Sequence, residues 1–291
     1  MVSKTSSHPS EPIGNRPTSK LSRFWSYARH DLSVYWLTLR VQLRAAAMLR
    51  GAFITQVLGM ILNNICFLGS WLFFFYHFGT VNGWSGTDFI GMMGMNALVF
   101  GLVFMFVVGL MDIPRHVDTG SLDSFLTKPN SVLSNLASSN VDVTTFGDLV
   151  FGVSLVTWYA VHIDASIGAI LLFLIAMASA CVVFFCFAAL LPNILAFYVF
   201  DSEKLSRYAG ILFLDAGLYP SGVLSGALRT ILLVAVPSLL FAATPIDVIR
   251  GLHWEWVGLG ALVAAFWLAF TLWLFKRALR KYESANLIGA R

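Results

Sequence analysis

The sequence predicts an all-α integral membrane protein with six transmembrane helices, an N-terminal helix lying along the membrane, and both termini in the cytoplasm. Three observations carry that expectation. Hydrophobic residues make up 58% of the chain and charged residues only 12%, too few charges for water to be the fold's only solvent. The apolar residues gather into six runs, poor in charge, of about the 20 residues that a helix needs to cross hydrocarbon. The basic residues fall almost entirely on one side of those runs.

Residues 1–20 are rich in Ser and Pro, with two Lys and no apolar stretch. They read as a disordered cytoplasmic tail and not as a cleavable signal. In residues 21–50, Leu32, Trp36, Leu39 and Leu43 recur at helical spacing, with Arg29, Arg40 and Arg44 along one edge. An apolar stripe edged with cations suits an amphipathic helix lying on membrane lipids.

The six runs are 52–78, 89–111, 146–161, 166–192, 223–243 and 256–275. Hydrocarbon offers backbone groups no partner, so each run is expected to be a helix that satisfies its own hydrogen bonds. The third run is short and is expected to extend back through Val141 or Val143. The fourth continues through Ile194 to Phe200, which makes it long, tilted or bent.

Of the 19 Lys and Arg, all but Arg250 lie before the first run, in the loops after the second and fourth, at Arg229 near the start of the fifth, or after the sixth. That distribution places both termini in the cytoplasm. Trp71, Trp84, Trp158, Trp254 and Trp256 then fall at the outer boundary, and Trp25, Trp36 and Trp273 at the inner one. The net charge of +4 is accounted for as a topology signal beside anionic lipid, and no nucleic-acid partner is expected. Cys66, Cys181 and Cys186 all lie within runs, away from any oxidising compartment.

No catalytic motif appears. No lysine stands in a Gly-x-x-x-x-Gly-Lys phosphate loop, Ser225 in "SGVLSG" lacks the glycine spacing of a nucleophile elbow, and no His-Glu-x-x-His or Cys-x-x-Cys occurs. His162 and Asp164 read as loop residues. The chain by itself is not expected to be an enzyme. Polar residues at membrane depth are costly and turn inward. Gln56, Asn63, Asn64 and Asn96, with Asp148 and Asp215, are therefore candidates for lining a pathway or for hydrogen-bonding between helices. Gly91, Gly94, Gly101, Ala176 and Ala180 would let helices approach closely.

Between the second and third runs stands "RHVDTGSLDSFLTKPNSVLSNL", residues 115–136. Thr119 or Ser121 can cap a short helix reaching Leu126, with Asp123 in its first turn and Pro129 ending it. Leu122, Phe125 and Leu126 give it an apolar face too small to span anything, suited to lying on the membrane or docking into a soluble partner.

The pattern Gly120-x-Leu122-x-x-x-Leu126-x-x-Pro129 resembles that of ABC-2 type transporter permeases, in particular a bacterial six-span subfamily. Tyr219-Pro220, Pro237, Pro245 and the closing "YESA" of Tyr282 to Ala285 also match, with Asn286 where that subfamily has Gly. The resemblance covers residues 30–286. It implies that 51–291 is a six-span permease domain with a short cytoplasmic C-tail. It also implies that the 115–136 segment is a coupling helix, with Gly120, Leu122, Phe125, Leu126 and Pro129 seated in a groove of an ATP-hydrolysing subunit. ATP and Mg would then belong to that separate subunit, with no cofactor in this chain. A second permease, related or identical, would complete the pathway. The setting implied is a bacterial cytoplasmic membrane and the direction is export; the alternative is a non-transporting membrane scaffold or assembly factor. In other permeases of this type an outer helix is re-entrant, so 205–224 could be the fifth span and 225–243 the re-entrant helix. Lys204, Arg207 and Asp215 make 205–224 the more polar stretch, and 223–243 is preferred as the span.

Overall fold

The structure is a computed structural model that describes residues 20–221, 224–251 and 254–282. The tail before Lys20, and the matched residues of "YESA" beyond Tyr282, lie outside the described residues. Among those described there are helices, turns and one isolated β-bridge between Val81 and Trp84.

The first helix, α1 (Lys20–Met48), stops at Leu49, whose ψ of 66° breaks the helical path, and α2 (Arg50–Phe78) follows. Next come α3 (Gly86–Val107), a 3-10 turn (Val108–Asp112) and α4 (Ile113–Asp118). Two short helices, α5 (Asp123–Leu126) and α6 (Val132–Ala137), lead into α7 (Thr145–His162). Then α8 (Ile167–Phe184) continues as a π-helical turn (Phe185–Leu190) and a 3-10 turn (Pro192–Phe197). The rest is α9 (Glu203–Gly217), α10 (Gly226–Thr230) with a π-helical turn (Ile231–Ala235), α11 (Ala243–Gly251) and α12 (Trp254–Leu279). Among the described residues, four continuous helical runs are long and apolar enough to cross a membrane: Arg50–Phe78, Gly86–Asp118, Ile167–Phe197 and Trp254–Leu279.

The tightest pairing is between α3 and α7, which run antiparallel, and the small residues explain it. A Cβ on Gly94 would lie 2.7 Å from that of Leu155, and one on Gly152 only 2.5 Å from the backbone nitrogen of Leu98. Gly91 lies under the Tyr159 ring and Gly101 against Thr145 and Leu149. The alanines of α8 serve the same end: Ala180 is fully buried, and Ala176 packs with Val248 and Val257. Around Phe184 the rings of Phe104, Phe241 and Phe213 converge at 5.2, 5.5 and 6.4 Å, so α3, α8, α9 and the chain before α11 meet at one aromatic centre.

Three expectations need correction or refinement. The third run does not extend back to Val141 or Val143. Asp142 Oδ1 accepts hydrogen bonds from the Thr144 amide and hydroxyl at 2.8 and 2.7 Å, and Thr145 Oγ1 donates to the Asp142 carbonyl at 2.6 Å. These bonds fix a turn, and the helix starts after it. The fourth run does continue to Phe197, but Pro192 cannot donate to an intrahelical acceptor. The bonding widens before it, with the Leu191 amide reaching the Cys186 carbonyl at 2.7 Å, and tightens after it.

The largest correction concerns 223–243, which is not one spanning helix. Arg229 of α10 lies 5.5 Å from the ring of Trp256, at the start of α12. A turn later, the Val234 carbonyl accepts from Trp267 Nε1 at 2.8 Å, about halfway along α12. There Val236 leaves the helical region and Pro237 supplies no N–H. The chain then turns back through Ser238–Leu240 and α11 until Arg250 Nη2 donates to the Gly83 carbonyl at 2.6 Å. This hairpin enters and leaves at the same end of the bundle. Before it runs α9, 15 residues long, which starts near Asp118 and ends at Gly217, against Phe241. Beyond it, Ser221 Oγ donates to the Asp247 carboxylate at the hairpin's end. The charges that argued against α9 are accommodated at its edges. Glu203 and Arg207 pair at 2.9 Å in its exposed first turns, and Asp215 points outward. One consequence is that Arg229 stands at the Arg250 end, not with the other basic residues.

Candidate functional site

Two sets of residues carry the functional argument: the 113–139 layer at one end of the bundle and a polar cluster within it. The layer is held by α1. Asp31 Oδ2 accepts from the Ser131 amide at 3.4 Å, and Gln42 Nε2 donates to the Ser139 carbonyl at 3.2 Å, so α1 grips both ends of α6. The Trp36 ring meets that of Phe106 edge-on at 5.7 Å and Leu39 is buried, while Leu32 and Leu37 stay exposed beside Arg29 and Arg40. The helix thus grips the protein with one edge and leaves an apolar face uncovered.

Within the layer, Gly120 holds φ at 71°, a left-handed turn that glycine adopts without strain. The expected N-caps are absent. Thr119 Oγ1 donates to the Arg115 carbonyl at 2.7 Å and Ser121 Oγ bonds His116 Nδ1 at 2.8 Å, so both hydroxyls close α4 and leave α5 a single uncapped turn. Asp123 lies in that turn, and Pro129 stands beyond its end. The expected apolar face is divided. Leu122 and Phe125 are buried, Phe125 beneath the His116 ring at 4.8 Å and the Lys128 ammonium at 4.6 Å. Leu126, 41% exposed, is the member that projects outward. Burial, joined by the Asp123 carboxylate, pushes the Tyr282 phenol up to about 12, so the end of α12 lies against α5.

The second set lies within the bundle. Gln56 and Asn63 are exposed on α2, whereas Asn64 and Asn96 are half-buried. Asn64 Nδ2 donates to Asp148 Oδ1 at 2.7 Å, joining α2 to α7. Asn63, Asn64, Asn96 and Asp148 line one cavity of about 180 Å³, closed on its apolar sides by residues such as Phe100 and Leu218. Gln56 is not part of it.

Sequence reasoning missed a third arrangement, at the opposite end. Asp88 Oδ2 accepts from the Ser85 amide at 2.9 Å, capping α3, while Oδ1 takes Tyr159 Oη at 2.8 Å and faces Arg250 Nε at 3.3 Å. Arg250 also approaches Asp247 at 3.7 Å and lies over the Trp84 ring at 5.0 Å. This network ties the hairpin to α3 and α7. The available signal was Arg250 itself, the basic residue that topology left unexplained. His162 stacks on Trp158 at 4.9 Å, and Asp164, with φ of 50°, closes the turn before α8, so both serve that turn.

Compared with curated proteins and with solved structures, the chain shows no significant match. A family model described as ABC-2 family transporter protein matches residues 58–286, which takes in α3 through α12 and most of α2. With that match across most of the chain, joined to apolar helices long enough to cross a bilayer, the chain belongs to the ABC-2 transporter family, as a multi-pass membrane permease component of an ABC transporter.

Proposed function

We propose that this chain forms half of the translocation pathway of an exporter driven by a separate ATP-hydrolysing subunit that docks on the α4–α6 layer. The observation that carries this reading is the division of labour within the layer. Leu122 and Phe125 anchor it in the bundle while Leu126 projects from it, and the chain has no phosphate loop of its own. Six traverses, by α2, α3, α7, α8, α9 and α12, cross the bacterial cytoplasmic membrane with both termini in the cytoplasm, and α10–α11 enter from outside. A second permease, related or identical, covers the face formed by α2 and α9. That assignment is supported by Gln56, Asn63 and Asp215, exposed polar side chains that lipid would leave without partners. Mg and ATP belong to the ATPase. Co-purification of a soluble protein bearing a phosphate loop tests the reading, and an adjacent gene is the natural source of candidates. A chain that recovers none in lipid would instead be a scaffold or assembly factor.

Topology gives an independent check. In a cysteine-free background, Ser225→Cys is expected to react with a membrane-impermeant thiol reagent applied to intact cells, and Thr127→Cys only with a permeant one. Were 223–243 the span, Ser225 would face the cytoplasm and stay unlabelled.

A further inference from the structure

The cavity between α2, α3 and α7 contains a carboxyl group that the fold does not satisfy. Asp148 is 2% exposed, Oδ1 is shared with Asn64, and Oδ2 has no hydrogen-bond partner. A buried polar oxygen left unpaired is expensive, and an unpaired carboxylate more so. Two simple remedies are missing among the described residues: no Lys or Arg lines the cavity, and no acceptor is bonded to Oδ2 as a protonated carboxyl would need. What the walls do offer, in the same cavity as Asp148, is the side chains of Asn63 and Asn96, carboxamides that can turn an oxygen towards a cation. One buried carboxyl group with neutral carboxamides lining the same cavity matches a ligand with a single positive charge. It does not suit a divalent or transition metal, and no group of three or more His, Cys, Asp or Glu able to hold one gathers among the described residues.

We infer that this cavity binds a small singly charged cation, a protonated amine group or an alkali metal ion, with Asp148 as its counter-charge and Asn63 and Asn96 as further acceptors. At about 180 Å³ the space admits an ammonium head or an ion with a few waters, not a whole large molecule. Asn63 lies on the exposed face of α2, so the cavity borders the face assigned above to the pathway. The inference rests on the permease reading only in giving the amine to a transported molecule; binding itself does not depend on it.

The experiment uses the purified full chain in lipid nanodiscs, without ATPase, followed by thermal unfolding at constant ionic strength. Methylammonium, sodium and potassium chloride each replace tetrapropylammonium chloride, whose cation is too bulky for the cavity. A saturable rise in Tm of roughly 5 °C is expected with at least one small cation, because a ligand that binds only the folded state stabilises it. A rise with methylammonium alone identifies an amine group, and a rise with sodium or potassium identifies a free ion. Asp148→Asn keeps an oxygen for Asn64 and should abolish the shift. Asn63→Ala, on an exposed face and harmless to folding, should weaken the apparent affinity about tenfold. No shift with any of the three salts, equal shifts in wild type and both variants, or a response to pH alone would overturn the inference. Cation binding that persists in a chain recruiting no ATPase would leave the site standing and remove the permease reading; the reverse result would do the opposite.

Discussion

Replacing Gly152 by leucine is expected to unfold the α3–α7 pair and remove the protein from the membrane fraction. Its Cβ would lie 2.5 Å from the Leu98 nitrogen and 2.7 Å from the Leu98 Cα, with the Gly94 carbonyl oxygen at 2.8 Å. These are backbone atoms of a facing helix, so no rotamer change relieves the clash and the helices must separate. Overpacking that ordinary cores absorb costs about 1–3 kcal/mol, and rigid backbone on the opposing side puts this substitution at the top of that range or above it. Gly59 is the control. It lies on α2, and a Cβ added there would meet nothing within 4 Å. Gly59→Ala should therefore leave the isolated chain as stable as wild type or raise its stability by about 0.5–1 kcal/mol. Thermal unfolding in detergent with quantified membrane abundance checks both. Comparable losses for the two would mean that these contacts do not set the spacing of α3 and α7.

The second large effect belongs to Leu126. At 41% exposure it contributes little to the chain's own packing, and Leu126→Asp should leave abundance and Tm close to wild type. Losing an apolar anchor at an interface costs about 2 kcal/mol, which corresponds to roughly thirtyfold weaker ATPase association. Leu122→Asp should behave differently. Leu122 is fully buried, so the charge would have to be desolvated or the layer would have to open, and the chain itself should be destabilised by several kcal/mol. Measuring ATPase affinity at matched membrane levels, together with unfolding of each variant, separates docking from folding. Equal affinity for wild type and Leu126→Asp would remove Leu126 from the interface.

What the sequence made legible follows from which forces act locally. Charge asymmetry, apolar run length and the stripe of α1 are local properties, and the helices at 50–78, 86–107 and 254–279 follow them. The glycines of α3 announced close packing, although not that α7 would be the partner. The fifth run misled because its composition is that of a span while Pro237 divides it. Mean apolarity does not register that a helix turns back, and three charged residues in α9 outweighed an apolar face that packs on the chain around Pro192. In the 115–136 segment, the spacing of Leu122, Phe125 and Leu126 suggested one surface, yet the one-turn helix, with Tyr282 against it and α6 following it, turns two of the three inward. The Asn64–Asp148 bond joins residues far apart in sequence, so only their polarity at membrane depth, not their partnership, could be read in advance.

The most direct test of ATPase docking on the α4–α6 layer is site-specific photocrosslinking. A photoreactive residue is introduced at position 126 in one sample and at position 85 in another, in the assembled complex in native membranes. Position 126 projects from the layer, and position 85 caps α3 at the opposite end of the bundle. Docking on the layer requires a strong adduct between position 126 and the ATP-hydrolysing subunit and none from position 85. An adduct from 85, or none from 126 in a complex that still hydrolyses ATP, would contradict it.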